Sequence, residues 1–304
     1  MRIPARSLTL AAAGVAMLLA VAGCSSGTSS PASTSSGTIG VVAGENFWGD
    51  IVSQIGGSHV KVTSIVSDPN ADPHEYEASA ADAAALASAQ FVLENGAGYD
   101  DFMSKLLAAS PNSGRDVLSV EKILKVTGAS PNPHFWYDVP RLHEVSAAIA
   151  AELSKRDPAN KAEFQANAKK FDESLQPILD VIAQIKSKYA GTPVAYTERV
   201  PGYLLSAAGL TLGMPASFTA AVEQGNDPTA ADTAAFLDAI TNKDVKVLLY
   251  NGQVTDSETD HVKKTATDAG VAIVGVTETI PATDKDFQSW QLRQVTELLK
   301  ALGN

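Results

Sequence analysis

The stretch DPANKAEFQANAKKFDESLQPILDVIAQIKSKYAGTP (157–193) decides how the rest of the chain is organised. Asp157 and Pro158 are typical of a helix start, because aspartate can cap the first turn and proline loses no hydrogen bond there. Apolar residues then recur at steps of three and four, which is the spacing of one buried helix face. They are Phe164, Ala168, Phe171, Leu175, Ile178, Ile182, Ile185 and Tyr189. The pattern predicts one long helix over residues 158–190.

Pro177 lies in the middle of this pattern. A proline inside a helix costs roughly 3 kcal/mol and removes a hydrogen bond, so we expect a kink or a break there. A helix of roughly 30 residues would span about 45 Å. That is long enough to run along two neighbouring lobes and to join them.

Short β-branched runs alternate with helical stretches on both sides of this segment. The runs are TIGVVAG (38–44), VKVTSIV (60–66), FVLENG (91–96), DVLSV (116–120), PVAYTE (193–198), VKVLLYNG (245–252) and VAIVGVTE (271–278). Strands that alternate with helices favour mainly parallel sheets covered by helices. The predicted fold class is therefore α/β, with one lobe over 38–157 and a second over 191–304.

The first 37 residues have a different character. Two arginines precede the apolar run LTLAAAGVAMLLAVA (8–22), which is too short for a comfortable membrane span and fits a signal peptide over residues 1–23. Small residues precede Cys24, as in the bacterial lipobox, whose cysteine carries lipid. Residues 24–37 are rich in serine and predict a flexible tether. We therefore expect the folded part on the extracytoplasmic face of the cell membrane, anchored through lipid on Cys24.

The charge balance excludes some partners. The 304 residues include 23 Lys and Arg against 34 Asp and Glu, a net charge of −11. A chain this acidic is poorly suited to bind nucleic acid or anionic lipid through long-range charge, but it can attract cations. Cys24 is the only cysteine, so the chain cannot form an internal disulfide.

Four side chains that can bind metal lie near the ends of predicted strands, where open parallel sheets hold their ligands. His74 follows the second strand, in VSDPNADPHEYEASA (66–80), and His134 lies in SPNPHFWYDVP (130–140). Glu198 and Glu278 end strands of the second lobe. Two imidazoles and two carboxylates can enclose one divalent transition metal, and the carboxylates neutralise its charge. We expect the four to meet in the cleft between the lobes.

Each of these residues also has a simpler interpretation. Histidines in polar loops are usually solvated, Glu198 can pair with Arg199 or cap the following helix, and Glu278 can be an exposed turn residue. Other acidic residues near strand ends or in loops stay open as ligands: Glu94, Glu223 and Asp256. The remaining histidines are expected away from the site: His59, His143 and His261.

Several motifs carry a family resemblance. ENFWGDIVSQIGG, DPHEYE, ENGAGYDDFM, NPHFWYD and GVTETIP followed by SWQ are similar to segments of the metal-binding lipoproteins of bacterial ABC importers for zinc and manganese. These are the TroA-like, or cluster A-I, substrate-binding proteins. The similarity runs from about residue 38 to the C-terminus, and the order and separation of DPHEYE and NPHFWYD make it specific.

The resemblance implies two α/β lobes joined by a long helix, with a metal between them. His74 and His134 match the two first-lobe histidines of the family, and Glu198 in YTER matches its third ligand. The fourth ligand is usually aspartate, where this chain has Glu278. The metal stays open between zinc and manganese, because two carboxylates favour manganese or iron while zinc binds most nitrogen and oxygen sites more tightly.

The resemblance also implies a function and partners. The expected protein is a monomer that binds one zinc or manganese ion and delivers it to an ABC permease driven by an ATPase, without enzymatic activity and without nucleic acid. The alternatives are a surface metallohydrolase and a metal-binding adhesin. A catalytic zinc in a hydrolase needs an open coordination position for water and a nearby general base. The chain has no H-E-x-x-H motif, the sequence signature of zinc metalloproteases.

Overall fold

The structure, a computed structural model, describes residues 37–69, 73 and 76–304. The predicted signal peptide, Cys24 and nearly all of the predicted tether lie outside the described residues. Within the described part, the strands are β1 (Ile39–Glu45), β2 (Val60–Val66), β3 (Phe91–Glu94), β4 (Asp116–Ser119), β5 (Pro193–Tyr196), β6 (Thr211–Leu212), β7 (Val247–Asn251) and β8 (Ala272–Val276).

At least one helix separates each of these strands from the next. The helices are α1 (Asn46–Gly56), α2 (Ala80–Ser88), α3 (Asp101–Ala109), α4 (Val120–Ile123), α5 (Leu142–Arg156), α6 (Lys161–Ser174), α7 (Gln176–Tyr189), α8 (Gly202–Ala207), α9 (Ala216–Val222), α10 (Ala230–Thr241), α11 (Ser257–Ala269) and α12 (Phe287–Gly303). Short 3₁₀ turns add Gly57–His59, Phe135–Tyr137, Val139–Arg141 and Pro158–Asn160. In the described part of the chain, no helix combines the length and the apolar character that crossing a bilayer requires.

The strands form two parallel sheets with the same topology. One has the order β2-β1-β3-β4 and the other the order β6-β5-β7-β8. In the first, Val41 of β1 pairs with Val62 on one side and with Phe91 on the other. The predicted α/β class with two lobes is confirmed. In each sheet the order in which the strands are added reverses between the two central strands. Ligand-binding side chains are therefore expected at the carboxyl ends of β1, β3, β5 and β7.

The predicted strands match the observed ones to within a few residues, except that β6 was missed. Thr211 and Leu212 are both exposed, and two residues carry no periodicity that indicates a strand. Their position is set by pairing with Pro193 and Val194 of β5, which is a tertiary contact.

The long helix predicted over 158–190 is instead two helices. A 3₁₀ turn precedes α6, which ends at Ser174, and α7 begins at Gln176 with Pro177 in its first turn. The expected break is therefore present. In the first turn of a helix the backbone N–H groups have no intrahelical acceptor, so the proline there removes no hydrogen bond. The two helices serve different lobes, because α6 packs on α1 and α5 whereas α7 packs on α12.

Apolar side chains from both lobes form one continuous core. Phe47 of α1 stacks on Trp136 with ring centres 4.1 Å apart, and it also approaches Trp290 of α12 at 6.3 Å. All three rings are fully buried. A hydrophobic interface fixes the relative position of two lobes better than a polar, hydrated interface does. The side chains in the cleft between the lobes are therefore held in a defined geometry.

Candidate metal centre

His134 enters the cleft just before the 3₁₀ turn Phe135–Tyr137, and its side chain is fully buried. The ring Nδ1 lies 2.6 Å from Oδ1 of Asn132. The amide nitrogen of Asn132 in turn donates to the carbonyl of Arg199 at 2.8 Å. Because Oδ1 can only accept, a neutral ring carries its proton on Nδ1 and presents the lone pair of Nε2. Nε2 lies 3.5 Å from Oε2 of Glu278, so ring and carboxylate face the same point.

Glu198 and Glu278 come from the strand ends of the second lobe. Glu198 lies two residues beyond β5 and Glu278 two residues beyond β8, and both are buried. Nδ2 of Asn251, the last residue of β7, donates to Oε2 of Glu198 and to Oε1 of Glu278 at 2.8 Å. One amide nitrogen thus holds two acidic groups together, a role that a cation can also fill.

Tyr99 links the first lobe to this acidic pair. Its hydroxyl donates to Oε2 of Glu278 at 2.8 Å, and its ring makes edge contacts with His134 at 5.7 Å and Trp136 at 4.8 Å. The side chain is only 5% exposed. Tyr99 therefore orients the carboxylate that faces His134, as groups behind metal ligands commonly do.

Gln253 positions the turn that carries Glu278. Its Oε1 accepts from the backbone N–H groups of Glu278 and Thr279. Its Nε2 donates to the carbonyl of Pro69 at 3.0 Å. The same side chain therefore joins the Glu278 turn to the chain that leaves β2, at the start of the loop predicted to carry His74.

His74 itself lies outside the described residues, as do residues 70–72 and 75. Across residues 37–69, 73 and 76–304, no group of three or more His, Cys, Asp or Glu side chains is placed so that it could hold a metal ion. The structure brings His134 and Glu278 together directly, and joins Glu198 to Glu278 through Asn251. A complete site at this place therefore needs a further ligand or a small adjustment of the side chains.

The carboxyl groups around the cleft raise one another's pKa. Burial raises the pKa of Glu45 well above its ordinary value, and the carboxyls of Asp100, Glu278 and Glu94 raise it further. Burial also raises the pKa of Asp100 to about 6, although backbone N–H groups oppose the shift. The pKa of Tyr99 is raised well above its ordinary value by burial, then by Glu278 and Glu45. Buried like charges of this kind favour the uptake of protons or of a cation.

The other acidic candidates from the sequence have different roles. Glu223 binds Arg199, whose Nε lies 2.6 Å from its Oε2. Asp256 caps α11 by accepting from the N–H of Thr259 at 2.6 Å. Glu94 ends β3 and is half-buried, and burial raises its pKa. Glu94 also raises the pKa of the buried Glu45 carboxyl.

The other histidines lie elsewhere, as the sequence predicted. His59 pairs with Glu163 at 3.1 Å, and the exposed His143 places Nδ1 3.0 Å from the carbonyl of Pro140. His261 is exposed on α11. These rings provide controls for experiments on His74 and His134.

Four residues of the cleft were not predicted from the sequence. Asn251 and Glu45 end β7 and β1, so the strand-end criterion that selected Glu198 would have found both if it had been extended to amides and to the first strand. Tyr99 lies in ENGAGYDDFM, a motif that the resemblance had already marked. No sequence pattern indicated Gln253, because its side chain contacts Pro69 and Glu278, which are remote from it in the sequence.

A cavity of about 490 Å³ opens beside the centre. Tyr99 and Pro133 line it from the first lobe, and Arg199 and Glu223 line it from the second. Because Tyr99 and the residue before His134 line it, the cavity lies next to the buried groups.

A family model with the description zinc-uptake complex component A, periplasmic (ZnuA) matches residues 41–301. The chain belongs to the ZnuA family. Proteins of this family are the metal-binding components of ABC importers and not enzymes, and the same is true of this chain. The family works with a permease and an ATPase.

Similar proteins of the ZnuA family are named for different metals. The manganese-binding lipoprotein MntA of Bacillus subtilis is 27% identical over 273 residues, which cover 86% of each chain. The manganese ABC transporter substrate-binding lipoprotein PsaA of Streptococcus pneumoniae is 28% identical over 54% of this chain and 56% of its own. The iron ABC transporter substrate-binding lipoprotein MtsA of Streptococcus pyogenes is 28% identical over 60% of this chain and 68% of its own.

Solved structures share the fold of this ZnuA-family chain. The substrate-binding protein FpvC of Pseudomonas aeruginosa, in complex with Mn²⁺, superposes with a TM-score of 0.73 at 22% identity, over 88% of this chain and 98% of its own. The Mn-bound periplasmic metal-binding protein of Candidatus Liberibacter asiaticus gives 0.72 at 19% identity, over 86% and 98%. At these identities the likeness establishes the two-lobed fold.

Proposed function

We propose that this protein captures one divalent transition metal, zinc or manganese, in the interlobe cleft and delivers it to the permease of an ABC importer. The observation that supports the proposal is that buried His134 faces buried Glu278, with Nε2 3.5 Å from Oε2, while Asn251 joins Glu278 to the buried Glu198. Buried carboxylates held this close to one another and to an imidazole favour the uptake of a proton or a cation. Relatives named for manganese and iron support a divalent cation as the cargo.

We assign the metal ligands to His74, His134, Glu198 and Glu278. The lone pair of His134 Nε2 and the two carboxylates supply one nitrogen and at least two oxygens. His74 would supply the second nitrogen, and Gln253 supports this by holding Pro69, where the His74 loop begins, beside the Glu278 turn. This donor set suits either metal, because imidazole binds zinc well and carboxylate suits manganese.

Titration of the metal-stripped protein with Zn²⁺ and Mn²⁺ tests this function. We expect one ion per chain, and a loss of affinity of roughly 100-fold or more for His74→Ala, His134→Ala, Glu198→Gln and Glu278→Gln, beyond the typical cost of losing a supporting group. His59→Ala and His143→Ala are the matched controls and should bind like the wild type. Wild-type affinity in the four ligand variants would refute the assignment, and elemental analysis after competitive loading identifies the metal.

The location and the oligomeric state are further parts of the proposal. Processing at Cys24 would leave a lipid-anchored protein on the extracytoplasmic face, with residues 24–37 as a tether, and the relatives named as lipoproteins support this. We expect a monomer, because one chain supplies all four proposed ligands. Cells that express the wild type should incorporate labelled palmitate into the protein, whereas Cys24→Ala should incorporate none, and light scattering on protein that begins at residue 38 should give the mass of one chain. Equal labelling of wild type and variant would contradict lipid anchoring through Cys24.

A further inference from the structure

Glu45 is a buried acidic residue to which the function above assigns no part. It ends β1, one of the two central strands of the first sheet, and its side chain is fully buried. Within the described part of the chain, neither of its carboxylate oxygens has a hydrogen-bond partner. Native proteins seldom leave a buried carboxylate in this condition, and a bound ion is one of the few explanations for it.

The nearest backbone donors do not satisfy Glu45. The residue occupies the N-cap position of α1, where a carboxylate can accept from the first N–H groups of the helix. Its side chain makes no such bond. The carboxylate therefore uses neither the helix N-terminus nor another described donor, and the fold holds it buried without them.

The backbone beside Glu45 is tied to the segment that carries Glu278. The next residue, Asn46, forms two hydrogen bonds of 3.0 Å with the backbone of Ile280. Its Nδ2 donates to the Ile280 carbonyl, and its Oδ1 accepts from the Ile280 N–H. This pair ties residues 45 and 46 to the segment that follows Glu278. The Glu45 carboxyl is close enough to Glu278 and Tyr99 to act on both electrostatically.

We propose that Glu45 is a third carboxylate of the cation site and binds the metal through one of its oxygens. The inference rests on the function proposed above and specifies the substrate further. No hydrogen bond to a described residue has to break before the side chain can turn toward a cation. Three carboxylates supply more oxygen donors than a tetrahedral zinc site uses, and oxygen ligands suit manganese. The extra carboxylate therefore favours Mn²⁺ over Zn²⁺.

Glu45→Gln provides the decisive comparison, because glutamine has the shape of a protonated glutamic acid but lacks the charge of the carboxylate. Metal-stripped wild type and variant are titrated with MnCl₂ and with ZnCl₂ in competition with a chelator. We expect the affinity for Mn²⁺ to fall by about 10-fold or more, in the range typical of groups that support a metal, and the affinity for Zn²⁺ by less than about 3-fold. A Glu45→Gln protein with wild-type affinities, or with equal losses for both metals, overturns the inference.

Asp50→Asn is the matched control in the same lobe. Asp50 carries a half-buried carboxylate, whose Oδ2 accepts from the N–H of Phe287 at 3.0 Å and from Gln54 at 2.6 Å. Its replacement should leave the ratio of the two affinities unchanged. A similar loss of Mn²⁺ affinity in both variants would mean that the loss is not specific to Glu45, and it would also overturn the inference.

A structure of the Mn²⁺-loaded wild type decides the matter independently of how the variant folds. We expect a Glu45 oxygen at about 2.2 Å from the ion, an ordinary carboxylate–metal distance. A Glu45 carboxylate outside bonding distance of an ion held by His134, Glu198 and Glu278 refutes this inference and leaves the proposed function intact. A wild-type protein that binds neither metal refutes the proposed function itself.

Discussion

Tyr99 and Glu278 are separated by 179 residues, yet the Tyr99 hydroxyl donates a 2.8 Å hydrogen bond to Oε2 of Glu278. The bond crosses from the first lobe to the second at the point where His134 also faces Glu278. It orients a carboxylate proposed to bind metal, and its geometry depends on how the lobes are held together.

Tyr99→Phe should weaken metal binding without removing a ligand. The variant keeps the ring and loses the donor, so the Glu278 carboxylate loses its orientation. We expect the affinity for Mn²⁺ or Zn²⁺ to fall by about 10-fold, as for other groups behind metal ligands, measured by titration of metal-stripped protein. Tyr250→Phe is the control, because its hydroxyl bonds to Asp260 at 3.0 Å, away from the centre. Unchanged affinity in Tyr99→Phe would show that the bond does not influence the site.

Asn251→Ala should destabilise the metal-free protein. The substitution removes the nitrogen that Glu198 and Glu278 share, and two buried carboxylates each lose a donor. We expect the free energy of unfolding in urea to fall by about 3 kcal/mol. Asn167→Ala, which removes one bond of 3.0 Å to the carbonyl of Ile55, should cost about 1 kcal/mol. Equal effects of the two substitutions would argue against a special role for Asn251.

Asp100→Asn should alter how stability depends on pH. In the folded protein the pKa of Asp100 is about 6, against an ordinary 3.8. A raised carboxyl pKa contributes stability below about pH 4, and this contribution is lost as the pH rises through about 6. The stability of the variant relative to wild type should therefore increase between these values, by up to about 3 kcal/mol. Urea unfolding of the metal-free proteins at several pH values measures the difference, and a constant difference would contradict the shift.

Pro177→Ala should destabilise the protein slightly. Pro177 lies in the first turn of α7, where it is free of the clash that proline causes inside a helix. Alanine mainly adds conformational freedom to the unfolded chain, so we expect a loss of about 0.5–1 kcal/mol in the free energy of unfolding. A proline strained inside one continuous helix would give the opposite sign, with the alanine variant more stable by roughly 3 kcal/mol.

Much of the architecture could be predicted from local patterns. Runs of β-branched residues located β1, β2 and the central strands of the second lobe, because side-chain shape and alternation act over a few residues. The stripe from Phe164 to Tyr189 and the proline within it predicted both the helical segment and its break. The two-residue β6 could not be found in this way, because it is too short to show a periodicity and its position is set by pairing with β5.

The amino-acid sequence by itself determined which strand ends carry imidazole and carboxylate groups, since these are properties of single positions in a local pattern. Only the tertiary structure decided that one amide, Asn251, joins Glu198 to Glu278, that Tyr99 reaches across the lobes, and that Glu45 is buried beside them. The physical reason is that burial and hydrogen bonding depend on distances between segments remote in sequence. Those distances are set by the packing of the whole core, including the contact of Phe47 with Trp136 and Trp290.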